Sequence, residues 1–168
     1  MLKPQDLLVA LVLAVHEDQP WTYEALAERL GMSASGVHQA VVRAGTCGLL
    51  NRETRSPIRP ALLEFLVHGV RYVFPAVLGR RRRGMPTGPS AEPLVRHLAS
   101  TETSPLVWPH ARGDARGESL MPLYRTVPLA AVCDPELYAV LTVIDGIRVG
   151  GARVREVAAA VLGELLSR

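Results

Sequence analysis

Five histidines, two cysteines and a scatter of carboxylates are the residues of this chain able to do covalent or acid–base chemistry, and their spacing assembles none. His16, His38, His68, His97 and His110 stand apart, none with an acid at a spacing that suits a metal ion or a proton relay. No Ser or Cys sits in a nucleophile-elbow pattern. Glu17-Asp18 is the only pair of adjacent carboxylates, and it lies beside a turn where water solvates it. Cys47 and Cys133 lack a CxxC spacing and a nearby His, which argues against a disulfide scaffold or a structural zinc site. Both read as small buried thiols. The glycines around residues 79–88 have no Lys-Ser/Thr behind them, so they do not form a phosphate-binding loop of the nucleotide-hydrolase kind. The expectation is therefore a protein that is not an enzyme, with no metal and no cofactor.

Binding chemistry is better represented, because the arginines are clustered. The 168 residues carry a formal net charge of +3, unevenly distributed. Residues 1–50 hold three bases against five acids, residues 51–90 eight Arg against two acids, and residues 91–168 eight Arg against nine acids. Arg52, Arg55 and Arg59 are spaced through NRETRSPIRP, and Arg80, Arg81, Arg82 and Arg83 run consecutively between two glycines. Such a segment suits the phosphates of a nucleic acid. The plainer alternative in both places is a solvated basic loop, since four consecutive Arg cannot enter a core.

The elements that would position these groups are mostly helical. A first helix is expected from about Pro4 to about His16, with Leu7, Leu8, Leu11, Val12 and Val15 on one side and Val9, Ala10, Leu13 and Ala14 on the other. A helix apolar all round needs cover on more than one side, either from a second subunit or from the chain's own C-terminal helices. Thr22 to Gly45 then reads as two helices around a tight turn. Tyr23, Leu26, Ala27 and Leu30 make the buried side of the first, Gly31 can turn at positive φ, and Ser33 is placed to cap the second. The second helix buries Val37, Ala40, Val41 and Ala44 and leaves Ser35, Gly36, His38, Gln39, Val42 and Arg43 outside. With its small Ala27, Gly31 and β-branched Val37, this stretch resembles the helix-turn-helix of winged-helix transcription regulators, broadly MarR-like, over about residues 5–70.

The resemblance implies that the helix at about residues 33–44 is a recognition helix entering the major groove. Ser33, Ser35, Gly36, His38 and Gln39 would face the bases, where Gln pairs with adenine and Ser reads either base or grips phosphate. Arg43, near the helix end, would contact phosphate, with Gly36 allowing close approach. Leu49-Leu50 would open the first strand of a wing, and Arg52, Arg55 and Arg59 would lie along phosphates or reach a minor groove. Two prolines and the lack of an alternating second strand make that wing shrunken or absent. The family is commonly dimeric, which implies a homodimer through terminal helices.

Beyond Pro60, which suits the start of a fourth helix, Arg71–Phe74 alternates and reads as a short strand. Seven prolines from Pro86 to Pro128 argue against a long helix or a regular sheet. They suggest an extended wrapper that packs Trp108 and Tyr124 onto the rest, with a short helix near Pro93–Ser100. Asp134 can cap a helix over Pro135–Ile147, and Arg153–Leu166 makes a last one, an antiparallel hairpin. The expected class is mainly α with small β, divided into a winged helix-turn-helix domain (1–75), an Arg/Pro-rich extended segment (76–130) and a C-terminal helical hairpin (131–168). No stretch approaches the ~20 apolar residues of a membrane span, and the run Leu7–Val15 lacks the flanking residues of a cleaved leader, so a cytoplasmic protein is expected.

The function that follows is a DNA-binding transcription regulator, a dimeric repressor reading a pseudo-palindromic site in double-stranded DNA. The alternative is a protein-interaction module, antitoxin-like or a defence-system accessory protein, whose residues 131–168 hold a partner. RNA binding through an Arg80–Arg83 arm is a third reading.

Overall fold

The computed structural model describes residues 1–99 and 104–167. Its first helix, α1 (Pro4–Val15), starts with proline in its first turn, and every residue from Leu7 to Ala14 is buried. One side packs on α3 (Ala34–Thr46) and another on α7 (Pro135–Val149), so the all-round apolar pattern is satisfied within the subunit by the chain's own C-terminal half. This removes α1 as a surface for a second copy.

Between them, α2 (Tyr23–Leu30) and α3 form a tightly turned pair with both ends capped. Thr22 Oγ1 accepts from the Ala25 N–H (3.1 Å) and Ser33 Oγ from the Gly36 N–H (3.1 Å). Gly31 adopts φ 61°, ψ 40°, the left-handed conformation that closes a helix C-terminus and costs glycine least. Val37, Ala40, Val41 and Ala44 face inward as the helical period requires. The strand expected at Leu49-Leu50 is a single bridge, Leu50 to Pro57. Pro57 has no N–H to extend a ladder, and Arg55 at φ 61° folds the intervening loop back on itself. Asn51 organises that loop, its Oδ1 accepting from the N–H groups of Glu53 (2.8 Å) and Thr54 (3.0 Å).

The next helix is continuous from α4 (Arg59–Glu64) through a π turn (Phe65–Gly69) into α5 (Val70–Val73). Here the expected strand at Arg71–Phe74 is corrected. Four alternating residues fit a helix as well as a strand, and buried Val70 lets the preceding helix run on against α7.

The largest departure lies in the proline-rich segment. Strands β1 (Leu78–Pro86), β2 (Leu106–Pro109) and β3 (Ala115–Leu120) close on one another in a small three-stranded sheet. β1 is antiparallel to both partners, and β2 and β3 are parallel. The prolines do not prevent this because Pro86, Pro105 and Pro109 stand at or just outside strand ends, where an absent N–H is harmless. Closure at so small a radius depends on glycine. A Cβ at Gly84 would lie 1.9 Å from the Trp108 carbonyl oxygen, and one at Gly117 1.8 Å from that of Pro105. The short helix expected near Pro93–Ser100 is a 3-10 turn at Leu94–His97, and Ser100 lies outside the described residues.

After β3 come α6 (Val127–Val132), α7 and α8 (Ala152–Leu166). Asp134 Oδ1 caps α7 through the Leu137 N–H (3.0 Å). α7 is buried along most of its length and shares one apolar core with α1, α3, α4 and α8. Trp108, 1% exposed, is the expected anchor of the wrapper, set against Tyr138. Cys47 and Cys133 are both exposed, not buried, because each sits just past the end of a helix. The chain is thus mainly α with a small sheet, and among the described residues no helix is long and apolar enough to cross a membrane.

Candidate nucleic-acid interface

Three groups of polar side chains singled out by the sequence occupy different settings. The first is the N-terminal half of α3. Ser33, Ser35, His38 and Gln39 are exposed, and Gly36 is half-buried. The capping bond between Ser33 and Gly36 holds the first turn rigid, so these side chains project from a fixed backbone. A Cβ at Gly36 would lie 3.0 Å from Ser33 Oγ, so glycine here leaves room for the cap. His38 meets the ring of Tyr23 edge-on at 5.2 Å. Gln39 is exposed, and Arg43 Nη1 lies 3.5 Å from its Oε1.

The second group follows α3. Arg52 and Arg55 are exposed on the Asn51–Ser56 loop. Arg55 rests its guanidinium over the Tyr23 ring at 5.4 Å, which ties the loop to α2. Arg52 Nε leans to the Gly45 carbonyl at 3.4 Å, at the C-terminus of α3. Among the described residues neither guanidinium makes a further side-chain hydrogen bond.

Two arginines expected at phosphates are instead committed inside the protein. Arg43 makes a two-pronged pair with Asp6, Nε to Oδ2 at 2.8 Å and Nη2 to Oδ1 at 2.7 Å. Asp6 is 0% exposed and also accepts from the Lys3 N–H (2.8 Å). That hydrogen bond to Asp6 raises the Arg43 pKa, against the opposing effect of burial. A carboxylate removed from water needs such a partner, so Arg43 pins α3 to the start of α1. Arg59 donates to Glu17 Oε2 (2.8 Å), the Ala14 carbonyl (3.0 Å) and the Leu166 carbonyl. It closes the C-terminal ends of α1 and α8, where a cation satisfies carbonyls that no longer have helical donors.

The third group is the arginine run, expected as an arm and found as strand. Leu78–Arg83 are exposed on both faces of β1, so these side chains stay in water while their backbone pairs with β3. The absence of a buried face also explains why no alternation betrayed the strand.

Two charged hubs went unnoticed in the sequence. Asp145 is 1% exposed and accepts from Thr87 Oγ1 (2.8 Å), Trp108 Nε1 (2.6 Å) and Arg148 Nη1 (2.6 Å). Arg148 donates onward to the carbonyls of Phe74 (2.9 Å) and Pro75 (3.2 Å), binding α7 to the entry of β1. Burial raises the Asp145 pKa, opposed by Arg148, Thr87 and Trp108. Asp134, likewise buried, accepts from Arg29 Nη2 (3.2 Å) and lies 2.8 Å from His16 Nε2, joining α1, α2 and α7. The available signal was a polar residue on an apolar stripe, as Asp145 and Arg148 are beside Leu141 and Ile144. Every oxygen in these hubs is occupied, which makes them structural ties.

Among the described residues no group of three or more His, Cys, Asp or Glu is placed to hold a metal ion. Comparisons with family profiles, with curated proteins and with solved structures return no match.

Proposed function

We propose that the protein is a DNA-binding transcription regulator of winged-helix type, in which α3 reads the major groove of duplex DNA. The observation that carries this is the N-terminal half of α3. Ser33, Ser35, His38 and Gln39 project outward from a capped, rigid helix that the Gly31 turn and the Asp6–Arg43 pair set at a fixed angle to α1. Gln39 is the specifying residue, since its amide matches adenine N6 and N7, while the two serines position the helix on base or phosphate. Arg52 and Arg55 supply phosphate contacts from the loop that takes the place of the wing.

Selection of binding sites from a random duplex pool tests the reading. The expected result is an enriched site whose preference at one base pair relaxes when Gln39 is replaced by Ala, by about 1–3 kcal/mol. Arg52→Ala and Arg55→Ala weaken all duplexes alike and lower the salt slope by about one each. A pool that enriches nothing, with no salt-sensitive retention of any duplex, overturns it.

A dimer on a pseudo-palindromic site belongs to the same proposal. With α1 enclosed, the surface we assign to the second copy is the exposed apolar group Tyr72, Val73, Val77, Leu78 and Met121. Repression follows if that dimer's site overlaps a promoter.

A further inference from the structure

The β1–β3 ribbon carries more cation than its own fold can use. In the antiparallel register Arg83 lies directly opposite Arg116, Arg81 opposite Glu118 and Arg82 opposite Gly117, with the extra residue of a bulge between Gly79 and Arg81. Side chains alternate along a strand, so Arg81, Arg83, Arg116 and Glu118 share one face. Arg81 and Arg83 stand about 6.8 Å apart along it, two strand rises. Like charges directly opposed on neighbouring strands destabilise the pair. Glu118 is the acid that this register sets on the face, opposite Arg81, yet among the described residues no carboxylate lies within ion-pair distance of Arg81, Arg82, Arg83 or Arg116. These four arginines line a shallow depression together with Pro109 and His110, and no carboxylate lines it. His110 closes one end, its main-chain N–H donating to the Arg83 carbonyl (3.2 Å), and its ring Nδ1 has no partner among the described residues.

We propose that this depression is a second nucleic-acid contact, separate from α3, which grips consecutive backbone phosphates of duplex DNA without reading sequence. Arg83 and Arg116 form a convergent pair of guanidinium forks around one phosphate, and Arg81 meets its neighbour. Single strands are the poorer fit, since no Phe, Tyr or Trp lines the depression to stack bases. The choice of DNA over RNA duplex rests on the proposed role of α3; the recognition of phosphate by the ribbon does not. A competing use of the same charges is to guard the exposed edge of β1 against pairing with another copy. A guard needs only scattered charge on one strand, whereas here Arg116 on the neighbouring strand adds to the field.

The test is fluorescence anisotropy of the full chain with three probes: a random-sequence DNA duplex, the corresponding RNA duplex, and the DNA site selected through α3, each titrated with salt. Arg81→Gln, Arg83→Gln and Arg116→Gln are combined in one variant, and the same positions as Lys in another. Thermal unfolding establishes that both variants fold. The ribbon assignment requires three outcomes. The Gln variant loses at least tenfold affinity for random and selected DNA alike. Its salt slope drops by about 2 to 3, three contacts at roughly 0.9 each. The Lys variant retains most of the slope. Failures of the two surfaces separate cleanly. If the Gln variant binds as the wild type does while Gln39→Ala still loses the selected site, the ribbon proposal is wrong and the α3 reading stands. If the ribbon variant loses affinity while no site can be selected, the reverse holds. Tighter binding of duplex RNA, lost in the Gln variant, overturns the assignment to DNA. Unchanged DNA affinity with new self-association of the Gln variant shows the charges to be an edge guard.

Discussion

A carboxylate taken out of water must be met by charge and by donors, and Asp6 is met by both. The Arg43 fork and the Lys3 N–H occupy its oxygens, leaving the first turn of α1 and the last turn of α3 bound together. Removing one partner of a buried pair leaves the other charge uncompensated, which costs roughly 3–5 kcal/mol. Arg43→Ala is therefore expected near the lower end, about 3 kcal/mol, because Arg43 is itself only partly buried. Urea unfolding measures it, and a loss under about 1 kcal/mol would reduce the pair to an ordinary surface contact. Asp145 makes a different prediction, because burial raises its pKa. The favourable share of an acid whose pKa is raised on folding is fully present below the ordinary carboxylate range. It is lost as pH climbs from that range through the raised value. The stability difference between wild type and Asp145→Asn should accordingly shrink as pH rises across that window. Urea midpoints measured along a pH series show the slope; a difference that stays level contradicts the shift.

At the scale of elements, what was legible in the sequence was what local rules determine. α1, α2 and α3 have their expected extents because the helical period, the Thr22 and Ser33 caps and the Gly31 turn all act within a few residues of chain. Gly31 is the sharpest case. Its φ of 61° disfavours any side chain, and a Cβ there would stand 3.2 Å from Leu129 Cδ2 on α6. Gly31→Ala should cost about 1–2 kcal/mol from the left-handed backbone alone. Gly31→Asn should cost less, since Asn tolerates that region better. Thermal unfolding ranks the two, and equal losses would mean that contact with α6, not backbone conformation, sets the cost. What escaped the sequence were pairings between distant segments. β1 has no buried face over Leu78–Arg83, so it shows no alternation, and its partner β3 lies across the proline-rich stretch. Arg43 and Arg59 looked like surface cations because their acceptors are remote in sequence: Asp6 for one, the Ala14 and Leu166 carbonyls for the other. Of the candidate recognition residues, the exposed face of Ser33, Ser35, His38 and Gln39 was readable, since helical periodicity alone sets it.

For the whole molecule, enclosing α1 between α3 and α7 moves the question of a second copy to other surfaces. Exposed large apolar side chains occur on α6, at Leu129 and Val132, and where α5 leads into β1 and β3 ends. There Tyr72 is 73% exposed and Met121 59%, and the Met121 N–H donates to the Val77 carbonyl (2.9 Å). Scattered exposed apolar residues are ordinary on a monomer, and the group on α5, β1 and β3 is the one proposed above for the second copy. A stable interface needs about 800 Å² from each partner, so this group would be the centre of a larger two-fold contact. The adjacent arginines of β1 oppose edge-to-edge strand pairing, which leaves packing of one patch against its copy as the mode of contact. In the proposed dimer, Tyr72→Glu combined with Val77→Asp would place like charges across the two-fold axis and should convert dimer to monomer in light scattering after size exclusion, with the thermal midpoint nearly unchanged. Affinity for a selected palindromic site should fall steeply in that variant, because two α3 helices about 34 Å apart no longer bind as a unit. Random-duplex affinity, carried by single subunits, should fall far less. A wild-type protein that is monomeric at the concentrations where it binds DNA would refute the dimer, and a variant that remains dimeric would move the interface elsewhere.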